Sequence, residues 1–300
     1  EAAAALGIRP IICRQERVGI GIADGFARVS NGSPPSVFAM QFGPGGENAF
    51  PVVSTAYSDS TPVLFMPMGH ARSRDRVFPM FNSIRAYECV TKSAEQINVP
   101  ERTVDTMRRA FSALKNGRPG PVLVEIPSDI ASAEVDDGAV EAYRPVKQAR
   151  AQGDPDAVEA ASRAILGAAR PVILAGAGVL YAGAADELCE FAELVQVPVM
   201  TSMEGKSAIS EKHHPLALGV GSSVMSGPAY HFLKDATLVF AIGSSLTDHG
   251  LMTPIPDGKV LIQATNDPAD LHKTYAVDHP VLGDAKLVLR QFIDCCRDLL

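Results

Sequence analysis

The chain has 300 residues, is 46% hydrophobic and 20% charged, and carries a net charge of −7. Such a balance is ordinary for globular protein; without a dense Lys/Arg block it argues against a nucleic-acid surface. No apolar run reaches the roughly 20 residues that a membrane-crossing helix needs.

The length suggests two domains of about 150 residues each. Cys13, Cys89, Cys189, Cys295 and Cys296 are scattered and odd in number, and none forms a C-x-x-C pair. That pattern disfavours a disulfide framework or structural zinc and points to a reducing, cytoplasmic setting.

In chain order, "EAAAALGIRP" reads as the tail of a helix and a turn, so the chain is expected to begin inside a domain. "IRPIIC" reads as a strand and "ERVGIGIADGFARVS" as a helix ending at an Asn-Gly turn. "PSVFAMQF" is a strand running into the loop "GPGGEN"; the next helix runs through "AFPVVSTAYS", with Pro51 in its first turn. "TPVLFMPMG" is a strand, "HARSRDRVFPMFNS" a loop, "VPERTVDTMRRAFSALKNG" a helix and "GPVLVEIP" a buried strand. Residues 131–153 lack apolar periodicity and read as an interdomain linker.

A second alternation follows. "DPDAVEAASRAILGAA", "AADELCEFAELVQ", "SGPAYHFLKDA" and "DAKLVLRQFIDCCRDLL" read as helices. "RPVILAGAGV", "VPVMTSM", "TLVFAIGSS" and "KVLIQATN" read as strands. In the closing helix Leu287, Leu289, Phe292, Ile293 and Cys296 are placed on one face. Strands apolar on both faces and joined through helices imply parallel sheets covered on both sides. The expected fold is therefore α/β, with two open parallel-sheet domains and helices on both faces.

Among candidate sites, "LAGAGV" carries Gly176 and Gly178 between a strand and a helix. Its amides either approach a phosphate or form a tight structural turn; Tyr181 occupies the third glycine's place in G-x-G-x-x-G. "IGSSLTDHG", with Gly243, lies at the carboxyl end of a strand, where such sheets bind ligands. In "QFGPGGEN", Pro44 between Gly43 and Gly45 makes a sharp turn, and Asn48 can bond backbone or ligand. The histidines show no metal-ligand spacing, and neither a nucleophile elbow nor a P-loop is present. Glu16 has two readings, a helix-capping carboxylate paired with Arg14 or Arg17, or a functional acid at a strand-to-helix turn.

"RQERVGIGIADGFAR", "FGPGGEN" followed by "AYSDSTPVLFMPMG", and "VTK" followed by "NGRPGPVLVEIPSD" resemble, in that order, one known pattern. It is the pyrimidine-binding domain of thiamine diphosphate-dependent enzymes of the acetolactate synthase group. "RPVILAGAGV", "VPVMTSMEGKSAISEKHHPLALG" and "NDPADLHKTYAVDHPVLGDAKLVL" resemble that group's Rossmann-like central domain. The resemblance implies a pyrimidine-binding domain over residues 1–130, lacking its opening strand and helix, and a central domain over 154–300. The family's third domain, which holds the diphosphate through Mg²⁺, has no counterpart, so a fragment inactive on its own is expected.

The resemblance also implies roles. Glu16 takes the place of the family's catalytic glutamate, which bonds the N1′ nitrogen of the cofactor's aminopyrimidine and so helps generate the carbon nucleophile that attacks a 2-keto acid. Gly43, Pro44, Gly45 and Asn48 match the loop beside that ring, and Phe81 and Lys92 match positions near the substrate channel. Lys92 can equally be a surface charge. The small residues Gly19, Gly21, Ala23 and Gly25 are expected on a helix face that allows close backbone packing or a subunit contact. The family's active site forms between subunits, implying a homodimer or homotetramer.

Departures blur the substrate. Gln15 and Arg17 flank Glu16 where acetolactate synthases have His and Gln, and His70 replaces a common Gln. In the central domain Gly176, Gly178, Gly243 and Asp267 are the candidate nucleotide contacts. FAD stays open there but unsupported, because Ser245 and His249 stand where flavin-binding relatives have arginines and Thr265 where they have an acid. The implied chemistry is decarboxylation or carboligation of 2-keto acids, two pyruvates giving 2-acetolactate and carbon dioxide. Benzoylformate or oxalyl-CoA decarboxylation, or a non-catalytic nucleotide-binding module, are the alternatives.

Overall fold

The structure is a computed structural model describing residues 2–221, 226–248 and 254–300. It divides into two compact units, residues 1–149 and 150–300. In the first, α1 (Ala2–Ala5) precedes α2 (Glu16–Val29), β1 (Ser36–Met40), α3 (Pro44–Ser58) and β2 (Val63–Gly69). Then come α4 (Ser83–Tyr87), β3 (Ser93–Gln96), α5 (Thr103–Lys115), β4 (Val122–Pro127), α6 (Ser128–Ala131) and α7 (Asp137–Glu141). The strands form one parallel sheet in the order β1-β2-β4-β3.

Successive strand residues point to opposite faces, and each face finds its own helices. Phe65 and Leu123 pack with Ile20 and Ala27 of α2, Ala49 and Val53 of α3, and Tyr87 of α4. Their neighbours Leu64, Val122 and Val124 pack with Ala110 and Leu114 of α5 and Ile130 of α6. Two-sided burial is what makes "PVLFM" and "PVLV" read as continuous apolar runs.

The second unit holds α8 (Pro155–Gly167), β5 (Pro171–Ala175), α9 (Ala177–Tyr181), α10 (Ala185–Val195), β6 (Val199–Thr201) and β7 (Ala217–Val220). It continues with α11 (Gly227–Asp235), β8 (Leu238–Ile242), β9 (Val260–Thr265), β10 (His279–Leu282) and α12 (Ala285–Leu299). Its parallel sheet runs β10-β9-β8-β5-β6-β7. Ile173, Phe240 and Ile262 face α8, α10 and α12, while Val172, Leu174 and Val239 face Ala229 and Leu233 of α11. Phe191, Phe240 and Phe292 stack about one another, with centroids 4.8 to 5.7 Å apart.

The α/β expectation of two open parallel sheets with helices on both faces agrees with these units. Several local expectations do not. "IRPIIC" is not a strand: residues 8–13 have no sheet pairing, and Ile8, Ile11 and Ile12 are 62 to 89% exposed. An apolar run becomes a strand only where a neighbouring strand takes its backbone groups. Helix α3 starts at Pro44 instead of Ala49, leaving Pro51 in its interior. Gly43 at φ +58° turns the chain, and Pro44 at the first helical position is pre-set for the helix.

The stretch 131–153 contains α7, and just before it Ile130 is buried under β4. The same stretch is pinned to the end of α5, where Lys115 donates to the Val146 carbonyl (2.8 Å) and Asn116 accepts from the Ala149 amide (2.7 Å). On α12, Val288 joins the buried stripe and Leu287 stays at its margin. Gly19 fulfils the close-packing expectation, since a Cβ there would lie 2.3 Å from the Phe38 ring of β1. Gly21 and Gly25 face open space within this chain.

Truncating Phe292 to Ala should destabilise the second unit by about 3–5 kcal/mol, because the aromatic trio cannot collapse into the void. The guanidinium midpoint of that unit's transition should fall accordingly.

Candidate active site at the carboxyl edge of the first sheet

Helix α2 runs down the sheet into β1, and α3 starts where β1 ends, so both helices begin at one edge. Glu16 is the first residue of α2 and Asn48 lies in the second turn of α3. Asn48 Nδ2 donates to Glu16 Oε2 at 3.0 Å. Gly45 lies beneath them; a Cβ there would stand 2.8 Å from the Gln41 side chain and 3.4 Å from Glu16 Oε1. Glycine therefore leaves the approach to that oxygen narrow but open.

The carboxyl group of Glu16 is half-buried, and its pKa is lowered. The Asn48 hydrogen bond is the largest cause and the residue's own amide at the helix start the next, together outweighing desolvation. A fixed, ionised carboxylate with one oxygen held by Asn48 leaves its other oxygen to bond an N–H placed against it. Ion pairs from Arg14 or Arg17 to Glu16 are absent among the described residues. A protonated ring nitrogen is the kind of donor that this group fits.

Gly43, Pro44, Gly45 and Asn48 are thus gathered around Glu16. Phe81 belongs to the same edge, its ring against Gly46, where a Cβ would stand 2.9 Å away. Lys92 does not join them. It precedes β3 at the opposite, amino edge of the sheet, where its ammonium bonds the Asn116 carbonyl. Sequence proximity to a strand does not tell which end of that strand carries the site. Gln41 under Gly45 and the Tyr87 hydroxyl, which donates to the Gly46 carbonyl, were not foreseen. Neither was the pair of Gln96 and Glu125, although an acid inside the apolar run "VLVEIP" was a signal.

In the second unit Gly176, Gly178 and Gly243 meet one another, and this corrects the phosphate-loop reading. The Gly176 and Gly178 amides donate to the carbonyls of Ile242 and Gly243, both at 2.9 Å, and the Gly243 amide donates to Ala264 at 2.9 Å. A Cβ at Gly176 would sit 2.3 Å from the Gly243 oxygen. These glycines let two strand ends touch backbone to backbone, and their amides are already occupied. Asp267 caps a short turn by accepting from the Ala269 amide at 3.0 Å. His249 lies outside the described residues. These three amides are therefore not available to a phosphate at this turn.

The description "Thiamine pyrophosphate enzyme, N-terminal TPP binding domain" matches residues 1–90, and "Thiamine pyrophosphate enzyme, central domain" matches residues 158–292. The chain belongs to the thiamine pyrophosphate enzymes. It is 34% identical to the "Probable acetolactate synthase large subunit" of Methanocaldococcus jannaschii over 94% of this chain and 49% of that protein. It is 27% identical to the "Glyoxylate carboligase" of Escherichia coli O157:H7 over 98% of this chain and 50% of that protein. The benzoylformate decarboxylase structure from Polynucleobacter necessarius shares the fold, with a TM-score of 0.79 at 24% identity over 94% of this chain and 53% of that one. The chain spans about half the length of the curated relatives it matches. No helix among the described residues is long and apolar enough to cross a membrane.

This thiamine pyrophosphate enzyme chain offers a direct check on the Asn48 contact. The lowered folded-state value means that the Glu16 carboxylate stabilises the fold above the ordinary carboxyl range. That contribution is lost as pH falls through the lowered value. In Asn48→Ala the largest lowering cause is gone, so a ¹³C-detected NMR titration should find the Glu16 carboxyl titrating at higher pH than in the wild type.

Proposed function

We propose that this chain is the pyrimidine-binding and central portion of a thiamine diphosphate-dependent 2-keto-acid decarboxylase or carboligase, most like acetolactate synthase. The observation that carries this reading is the ionised Glu16, held by Asn48 above the open floor of Gly45. Glu16 would hold a proton on the ring nitrogen of the cofactor's aminopyrimidine, and Asn48 would keep the acid oriented and charged. Gly43 and Gly45 give the ring access, since side chains there would strain the turn or crowd the acid. When bound, thiamine diphosphate supplies the nucleophilic carbon and electron sink for loss of carbon dioxide from a 2-keto acid.

Mg²⁺ and the diphosphate would be held by a domain beyond those in this chain, since the curated relatives run to about twice its matched length. Assembly from two subunits fits the exterior of α2. Val18, Ile22, Phe26 and Val29 are 52, 47, 45 and 83% exposed and recur at helical spacing, with Gly21 and Gly25 open beside them. The occupied glycine amides of the second unit weigh against the nucleotide-module alternative.

The test uses the full-length protein with thiamine diphosphate and Mg²⁺. Glu16→Gln should lower carbon dioxide release from pyruvate by at least about 10²-fold, the usual worth of a positioned acid–base group. Cofactor binding, followed by calorimetry, should persist more than turnover does. Turnover undiminished in that variant would overturn the proposal.

A further inference from the structure

Asn48 can hold Glu16 only as firmly as the first turns of α3 hold Asn48. Those turns are weak by their own sequence. Gly45 and Gly46 stand inside them, and glycine gives up more backbone freedom on ordering than any other residue. Pro51 has no amide to donate, so the Glu47 carbonyl misses the partner that residue i+4 supplies elsewhere in a helix. The N-cap residue is Gly43, so no side chain caps the helix start either.

Support comes from outside the helix, at Gly46. The Tyr87 hydroxyl, on α4, donates to the Gly46 carbonyl. The Phe81 ring lies against the same residue. Tyr87 is fully buried, and its ring contacts Phe65 of β2 and Phe50 of α3, with centroids 5.0 and 5.3 Å away. Its own carbonyl accepts from the Thr91 hydroxyl at 2.9 Å. Burial pushes the pKa of the Tyr87 hydroxyl up, so it stays protonated and remains a donor. A phenylalanine would fill the same volume without bringing a polar atom into the core. A hydroxyl is favourable there only through the bond it makes.

We propose that Tyr87 is a positioning residue for the candidate site: its hydroxyl pins the glycine-rich start of α3 through the Gly46 carbonyl and so keeps Asn48 against Glu16. The ring supplies packing, and the hydroxyl fixes where the turn sits. The bearing of this contact on catalysis rests on the thiamine diphosphate reading; its hold on Glu16 does not.

The experiment compares Tyr87→Phe with wild type in the full-length protein. It follows the Glu16 carboxyl by ¹³C-detected NMR titration, and carbon dioxide release from pyruvate with thiamine diphosphate and Mg²⁺. Tyr87→Phe should raise the Glu16 midpoint by roughly 0.3 pH or more, toward its place in Asn48→Ala and within the roughly one-unit scatter of carboxyl groups in folded proteins. Combining Tyr87→Phe with Asn48→Ala should move the midpoint no further than Asn48→Ala alone, because both changes act through one contact. Leu114→Ala, on the other face of the sheet, should lower the melting temperature and leave the midpoint in place. Turnover in Tyr87→Phe should fall about tenfold, less than in Glu16→Gln. If Tyr87→Phe does not fold, wild type still tests the contact, since the bonded Tyr87 hydroxyl proton should exchange slowly enough to give its own signal. An unchanged midpoint, additive shifts in the double variant, an equal shift in Leu114→Ala, undiminished turnover of an active protein, or a hydroxyl proton in fast exchange would each refute the proposal. A wild type that neither binds thiamine diphosphate nor consumes pyruvate would end that reading alone, with the titration still deciding Tyr87.

Discussion

The close approach of two helix starts at one sheet edge governs the first unit. Helix α2 brings Glu16 and helix α3 brings Asn48, and the 3.0 Å bond between them follows from the packing of α2 against both β1 and α3. Gly19 sets one of those distances, with the Phe38 ring occupying the volume of a missing Cβ, and Gly45 sets the other. The same contact keeps the carboxyl group of Glu16 charged. Packing, hydrogen bonding and electrostatics thus converge on one side chain, and helix N-termini are where an anion is best tolerated.

Glycine does different work in the two units. In the first it opens space beside an acid, as at Gly45 and Gly69, each next to a glutamate. In the second it closes space, since Gly176, Gly178 and Gly243 bring the ends of β5 and β8 into backbone contact. Gly205 continues that seam, with a Cβ there 2.3 Å from the Ala175 oxygen. In the second unit the glycine-rich turns hold the strand ends together. The chemistry proposed for the chain is concentrated in the first unit, on an acid that begins a helix.

The Gln96–Glu125 pair shows how a parallel sheet makes polar neighbours from register. Gln96 and Glu125 are 29 residues apart in sequence and become neighbours because β3 and β4 pair in parallel. A buried carboxylate in an apolar strand is expensive unless bonded, and Gln96 supplies that bond to one oxygen only. Arg72, bonded to Asp129 and to the Asn98 carbonyl, ties the following segment down over the strand ends.

Much was legible in the residues themselves. Continuous apolar runs such as "PVLFM" and "TLVFAI" declared two-sided burial and hence parallel sheets, because that signal is local and chemical. Glu16, Asn48 and the "GPGG" turn were also readable, since their residue types and order carry the resemblance. What the sequence could not settle depends on partners distant in the chain. "IRPIIC" has strand composition but no pairing strand, Lys92 has a plausible motif but lies at the other end of the sheet, and the "LAGAGV" amides are taken by residues more than 60 positions away. Composition and periodicity determined the elements and the fold class, because those follow from each segment's own burial. Only the tertiary structure decided which backbone groups were already bonded and which side chains shared an edge, because hydrogen bonds and close contacts belong to pairs of segments and not to either one alone.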